Sequence, residues 1–363
     1  FGIALGGVLM GLGFLTARTV LEASGTPESV INEALLYIRI YFIGVPFMTI
    51  YNFGAAILRS YGDTKRPMCY LIISGTVNVV LNLIFVIGFG LGVEGVAIST
   101  SVSNMLSTAM VLTHLYRKED EFQFRFHKMC VIWKDLKRIL MIGIPAGIQG
   151  AIFSVSNVFI QSGINTFGED AIAGSSLALN FEYFTYDIAN AFAQAAVTFT
   201  SQNFGAGNYR RILRIRHIAV ATGTISTFLL GFLAILFGHQ LLGIYSPSEA
   251  VIQAGMVRMH YLMLFYGLDA LMDVQVGSMR GIGYNIAPML VTLVGACLFR
   301  LVWLGTVFQI PAYHTIEMVY IVYPISWVIT SIAHMIAFHF AYRRTMRHVH
   351  HTGDTHPAEA AVS

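Results

Sequence analysis

The decapeptide LRSYGDTKRP, Leu58 to Pro67, sets Arg59, Asp63, Lys65 and Arg66 between two long apolar runs, and MRGIGYNIAP, Met279 to Pro288, is a weaker copy of it. Superposing Arg59 on Arg280 gives an offset of 280 − 59 = 221, which also pairs Gly62 with Gly283 and Pro67 with Pro288. Upstream the same offset pairs Glu28 with Glu249, Val30 with Val251 and Ile31 with Ile252, without a gap from Glu28 to Pro67. Chance is a poor explanation for that register, so the chain contains a duplicated unit built around a polar hinge. Gly62 permits the chain reversal, and Pro67 suits the start of the helix that follows.

The runs flanking the hinges have the composition of a membrane protein. Of 363 residues, 56% are hydrophobic and 11% charged, with a mean hydropathy of +0.67; soluble domains carry about 25% charge. Apolar stretches recur at 1–22, 35–58, 68–90, 94–116, 136–163, 170–202, 213–242, 256–280, 286–308 and 317–342. Most approach the length of about 20 residues needed to cross a hydrocarbon core. They are too long for strands and lack apolar/polar alternation. The expected fold is an all-α polytopic membrane protein with ten transmembrane helices in this chain.

Charge orients it. Connections carrying Arg59, Lys65 and Arg66, then Arg117 to Arg138, then Arg210 to Arg216, then Arg280, then Arg343 to Arg347, alternate with connections that hold only acids, such as Glu28, Glu169, Glu249 and Glu317. Basic loops stay inside, so both ends of the chain are expected in the cytoplasm of a bacterial cell, with the protein in the inner membrane. The net charge of +3 is accounted for by these loops and needs no nucleic-acid partner. Cys69, Cys130 and Cys297 show neither pairing nor metal spacing.

The repeat also organises the chain: four helices over 1–116, a basic linker over 117–135, six helices over 136–342 and a tail over 343–363. The second unit opens with two extra helices near Leu136, and 136 − 221 = −85 puts their counterparts before Phe1. The expected whole is two pseudo-symmetric six-helix lobes, of which this fragment carries helices 3–12, its first two helices lying upstream. Even helix counts make the repeats parallel, related by an axis along the membrane normal.

The run YIRIYFIGVPFMTIYNFGAAILRSYGDTKRP, followed by NVVLN and GVEGVAIST, resembles the multidrug and toxic compound extrusion (MATE) family. So do GIPAGIQ, NFEYFTYDIANAFAQAAVTFTSQNFGAGNYRR, FRLVW and YPISW in the second half. The resemblance implies a monomeric secondary antiporter, not an enzyme. It would export small organic, often cationic, drugs in exchange for Na⁺ or H⁺, without a further cofactor, by rocking two lobes about a central cavity. It also draws attention to Asn78 and Asn82, with Thr100 on the next helix, where family members often carry an Asn and an acid; here the acid is an amide, which can ligate Na⁺ but cannot release a proton. With Asn52 these residues equally suit plain interhelical hydrogen bonds.

Ionisable residues inside spans cost roughly 2.5–3.5 kcal/mol each and are functional candidates by default. Glu182 and Asp187 lie in 170–202, Asp269 and Asp273 in 256–280, and Arg300 in 286–308. Asp187, Asn190 and Gln194 share a helix face, whereas Glu182 sits about 140° from Asp187, so the two acids are not expected to serve one site. Counted from the hinge at Tyr284, Asp269 and Arg300 fall at one depth, about 22 Å, which predicts a structural ion pair. That leaves Asp273 and Glu182 as the better proton carriers, since burial favours the neutral form of a lone carboxyl. Gln149, Asn180, Tyr186, Asn190 and Gln194 are the expected cavity residues, and Phe181, Tyr183, Phe192, Met263, Phe265 and Tyr266 offer flat or polarisable surfaces of which about one in four should face it.

Other signals weigh less. GLGVEG at Gly90 joins two apolar runs with no βαβ unit and reads as a tight external turn; RHVHHTGDTHP reads as a solvated tail. No HExxH or GxSxG string points to an intramembrane hydrolase. The rival reading, a flippase for lipid-linked oligosaccharides, calls for a more cationic cavity than one deep residue, Arg300, supplies.

Overall fold

The structure, a computed structural model, describes residues 2–23, 28–117 and 130–352. Lys118, Arg125 and Lys128 of the basic linker, and the side chains of the histidine-rich tail beyond Arg347, lie outside the described residues. Every element among those described is helical. In chain order these are α1 Gly2–Ala23, α2 Glu28–Ser60, α3 Lys65–Asn82, α4 Val93–Arg117, α5 Trp133–Asn165, α6 Glu169–Gly205, α7 Tyr209–Leu236, α8 Gly238–Gly243, α9 Glu249–Leu262, α10 Tyr266–Gly281, α11 Ile286–Thr292, α12 Phe299–Gly305 and α13 Ile316–Thr352. A π-helical segment, Leu83–Gly88, prolongs α3, and another, Leu293–Leu298, joins α11 to α12. A 3₁₀ turn, Met263–Phe265, joins α9 to α10.

By length and composition eight segments among the described residues can cross a membrane. The two of the ten expected spans that fall short are α6 and the α9–α10 pair. Glu182, Asp187, Asn180, Asn190 and Gln194 dilute the hydropathy of α6, and the 3₁₀ turn divides the other span into pieces of 14 and 16 residues. These two segments carry Glu182, Asp187, Asp269 and Asp273, four of the acids expected inside the membrane.

The chain divides into two units, Phe1–Leu136 and Lys137–Ser363. In the first, α2 packs on α1 and α4, and α3 on α4; its core is Tyr51, Ala55, Leu58, Val111 and Leu115. Lipid tails give little hydrophobic drive to helix pairing, so hydroxyls and small residues hold the helices together. Ser101 Oγ donates to Ile40 O at 2.9 Å and Thr108 Oγ1 to Phe47 O at 2.6 Å, both from α4 to α2.

In the second unit α6 packs on α7, α9 and α10, and α10 also on α7 and α13. Gly277 of α10 lies so close to the backbone carbonyl of Ala193 on α6 that any side chain there would collide with it. This approach brings the polar faces of α6 and α10 to one wall.

The hinges match atom for atom. Gly62 has φ +95° and Gly283 φ +92°. Gly62 N–H donates to Arg59 O and Asp63 N–H to Leu58 O, each at 3.0 Å; 221 residues on, Gly283 N–H donates to Arg280 O and Tyr284 N–H to Met279 O, again at 3.0 Å. The next helices start at Lys65 and Ile286, two residues before the prolines expected to open them, and again 286 − 65 = 221.

Candidate functional site

A cavity of about 510 Å³ lies within the second unit, between α5, α6 and α10, with Arg258 of α9 and Tyr323 of α13 also in its wall. Of the expected cavity residues, Gln149, Tyr186, Asn190 and Gln194 line it, as do Tyr183 and Tyr266. Asn180 stands apart, its Nδ2 turned to the carbonyls of Ser176 and Leu177 at 3.4 and 3.5 Å. Asp187 is exposed and outside the cavity wall, whereas Glu182 is buried within it, so the two acids are separated as their angular spacing requires. Met263 is core, and Phe181 packs edge-on against Tyr245 at 6.0 Å.

Glu182 is not the free acid its sequence context suggested. Arg258 Nε and Nη2 donate to its two carboxylate oxygens at 2.6 and 2.9 Å, and Nη1 donates to Ser175 Oγ at 2.7 Å. Both partners are nearly inaccessible, Glu182 4% and Arg258 3% exposed. Two charges withdrawn from water are tolerated only when geometry is good and the remaining donors are satisfied, and this fork meets both conditions. Arg258 corrects the expectation that Arg300 is the one deep basic residue. The signal was present, an arginine inside the 256–280 span, but its partner lies 76 residues away in sequence.

No ion pair joins Asp269 to Arg300 among the described residues. Arg300 Nε donates instead to Ser326 Oγ at 3.0 Å, and its guanidinium lies over the Tyr323 ring at 4.2 Å. A π-helical segment, Leu293–Leu298, runs directly before Arg300 and alters the angular register on which a count at plain helical geometry relies. Asp269 therefore stands buried, 7% exposed, with Oδ2 lacking any hydrogen-bond partner. Asp273, one turn further along α10, shares its face and also lines the cavity. Among the described residues the structure thus supplies two adjacent carboxyls to which no cation is bonded. At the hinge end, Arg280 donates through Nη2 to Gln149 Oε1 at 2.8 Å.

In the first unit Asn78 Nδ2 reaches Thr100 Oγ1 at 3.5 Å, and Asn82 Nδ2 donates to Asn78 Oδ1 at 3.1 Å. Asn82 Oδ1 is buried without a partner. Asn52 is exposed on α2 and outside this chain of bonds. Three amide and hydroxyl side chains thus cluster as the family resemblance implied, with no carboxylate among them.

Comparison with known proteins places these helices in context. The MatE family model matches residues 1–84 and 145–304. The probable multidrug resistance protein YoeA of Bacillus subtilis is 27% identical over 303 residues, covering 81% of this chain and 65% of that protein. The probable multidrug resistance protein NorM of Thermotoga maritima is 27% identical over 281 residues, covering 76% and 60%. The chain therefore spans less than two thirds of the length of these curated relatives. The crystal structure of the Vibrio cholerae MATE transporter VcmN in the bent form superposes with a TM-score of 0.81 at 20% identity, covering 94% of this chain and 78% of that one. An outward-facing multidrug resistance MATE transporter superposes with 0.85 at 20% identity, covering 94% and 76%. These structural likenesses are likenesses of fold.

Proposed function

The chain belongs to the MatE family, and we propose that the intact protein is a secondary antiporter, in the inner membrane, that exports small organic and often cationic compounds in exchange for H⁺ or Na⁺. Relatives named as multidrug resistance proteins support the cargo class. The observation that carries the coupling is the Asp269–Asp273 pair on the cavity wall, with one carboxylate oxygen unpartnered.

Two carboxyls one turn apart in a desolvated wall resist being charged together, so a proton or a cation is held between them when no organic cation is present. A cationic ligand entering the cavity competes for the same charge, and that competition is the elementary requirement of exchange. Asp269 and Asp273 are the coupling residues in this reading. Glu182 is not, because Arg258 already satisfies both of its oxygens. Alternating access, with the two hinges on the cytoplasmic side, would expose the pair to each side in turn.

The driving force is adequate. One charge moving through 100 mV releases about 2.3 kcal/mol, and a tenfold ion gradient adds about 1.4. One ion can therefore sustain a gradient of a few hundredfold for a cargo without net charge, whereas one-for-one exchange with a monocation is electroneutral and leaves about the tenfold set by the ion gradient, so a steeper gradient of a cation needs a second ion.

The flippase alternative gains Arg258 and Arg280 as cavity cations. Arg258, however, is neutralised by Glu182, and Arg280 shares the cavity wall with Asp269 and Asp273, which is a poor balance for a diphosphate. The test is ethidium efflux by the intact protein in vesicles, with pH and Na⁺ gradients imposed separately. One gradient should drive accumulation against the dye gradient, and flux indifferent to both gradients would remove the antiport reading.

A further inference from the structure

Arg280 is an unexpected wall for a site that receives cations. Its counterpart in the first copy, Arg59, is exposed, whereas Arg280 is half-buried and turned onto the cavity. A guanidinium has five N–H donors, and Nη2 of this one donates to a neutral amide, Gln149 Oε1. No carboxylate lies within ion-pair distance of it among the described residues. Asp273 is seven residues earlier on the same helix, which at 1.5 Å per residue places it about 10 Å along the axis. Tyr186, of α6, also borders the cavity. The wall is therefore dipolar: acids at mid-depth, an aromatic ring, and an arginine towards the hinge. Arg280 would repel a simple cation. It would favour a ligand that carries an anion at one end and a cation at the other.

We propose that Arg280 and Gln149 form a carboxylate subsite, and that the cavity accepts amphoteric compounds whose cationic end meets Asp273 while their carboxylate meets the Arg280 fork. This deepens the transport reading and rests on it for the identity of the occupant as cargo. Arginine suits the role because its planar fork takes a carboxylate through two parallel hydrogen bonds, which a lysine cannot do. Gln149 would then turn its amide N–H to the same anion or release the guanidinium to it.

The test is dye binding to the purified intact protein by fluorescence anisotropy at neutral pH, with two dyes that differ at one group. Rhodamine 110 carries a carboxylate and is a zwitterion; rhodamine 123 is its methyl ester and a monocation. Arg280→Gln should weaken rhodamine 110 by about tenfold or more while leaving rhodamine 123 within about twofold. Gln149→Glu supplies a carboxylate that occupies Arg280 from within the protein, and it should produce the same selective loss without leaving a charge unpaired. Parallel losses of both dyes in both variants, or no loss of either, would overturn the subsite. If the unaltered protein bound rhodamine 123 but not rhodamine 110, the subsite would be wrong and the transport reading would stand. If it bound neither, the transport reading would fail along with it. Displacement of rhodamine 110 by micromolar pyrophosphate would overturn the carboxylate assignment in favour of a diphosphate ligand.

Discussion

The repeats Glu28–Pro67 and Glu249–Pro288 share their helix starts, their hinge hydrogen bonds and their left-handed glycine, yet their interiors diverge. In the first copy α2 runs unbroken for 33 residues through Pro46. In the second the same length is split by the turn at Met263–Phe265. At the shared offset, Met48 stands where the second copy has Asp269 (269 − 221 = 48), Asn52 where it has Asp273, and Tyr37 where it has Arg258. A hinge is constrained by chain reversal, which either copy needs equally. An interior position is constrained by what it must hold, and of the two copies only the second holds buried charge, paired at Arg258 and without an ion-pair partner at Asp269, whereas Arg39 inside α2 is exposed. Duplication preserved the first constraint and released the second.

Breaking that asymmetry should have the largest effect. Asp273→Asn makes the second copy resemble the first, and gradient-driven ethidium efflux should fall to the background of empty vesicles. The reciprocal Asn52→Asp places the acid in the exposed first-copy position and should change efflux by less than about twofold. If the two substitutions were equally harmful, the functional division between the copies would be wrong.

Next in size is the buried ion pair. Arg258→Ala strands Glu182 in a dry wall, and the loss should be about 3–5 kcal/mol, seen as a large fall in thermal unfolding temperature in detergent. The paired replacement Glu182→Leu with Arg258→Met should recover most of it, because hydrophobic residues of similar volume avoid the desolvation cost. Failure of the double variant to recover would mean that the pair is more than structural.

The hinges should respond alike. Gly62→Ala and Gly283→Ala each force a side chain into the left-handed region, at about 1–2 kcal/mol. Unequal losses, measured by the same thermal unfolding, would show that the matching geometry conceals different surroundings.

The smallest effect belongs to a feature of the first hinge alone. Asp63 accepts Arg66 N–H at 3.2 Å and the Arg66 guanidinium at 2.7 Å. Burial works against its ionisation, but the Arg66 backbone and side-chain hydrogen bonds prevail and hold its carboxyl below the usual carboxylate range. A depressed acid stabilises the fold when ionised, so the contribution is present above about pH 4 and is lost as pH falls through the lowered value. Arg66 is largely exposed, so Asp63→Asn should cost under about 1 kcal/mol. Tyr284 occupies the matching position, so the second hinge has no carboxylate to make this contact.

Much of this was legible in the sequence, and the exceptions have physical causes. The hinge could be read because a left-handed turn needs glycine at one place, and a one-residue error would have broken the 221-residue register. The helices could be read from apolar length, although α6 falls short through its polar residues and α9–α10 because a 3₁₀ turn divides it. The Asn78–Asn82–Thr100 cluster was pointed to by the family resemblance, and the four-residue step from Asn78 to Asn82 fits one helix face. Partner choice did not follow. Arg258 finds Glu182 across two helices, which no local pattern encodes. Arg300 turns to Ser326 through a π-helical segment that depth counting ignores.

The most direct test of the central claim is ethidium affinity of the purified intact protein, measured across pH and across Na⁺ concentration, beside the Asp269→Asn/Asp273→Asn double variant. Coupling through this pair predicts that ethidium binding weakens as protons or Na⁺ compete, and that the double variant loses this dependence. Dependence of equal strength in the double variant would contradict it.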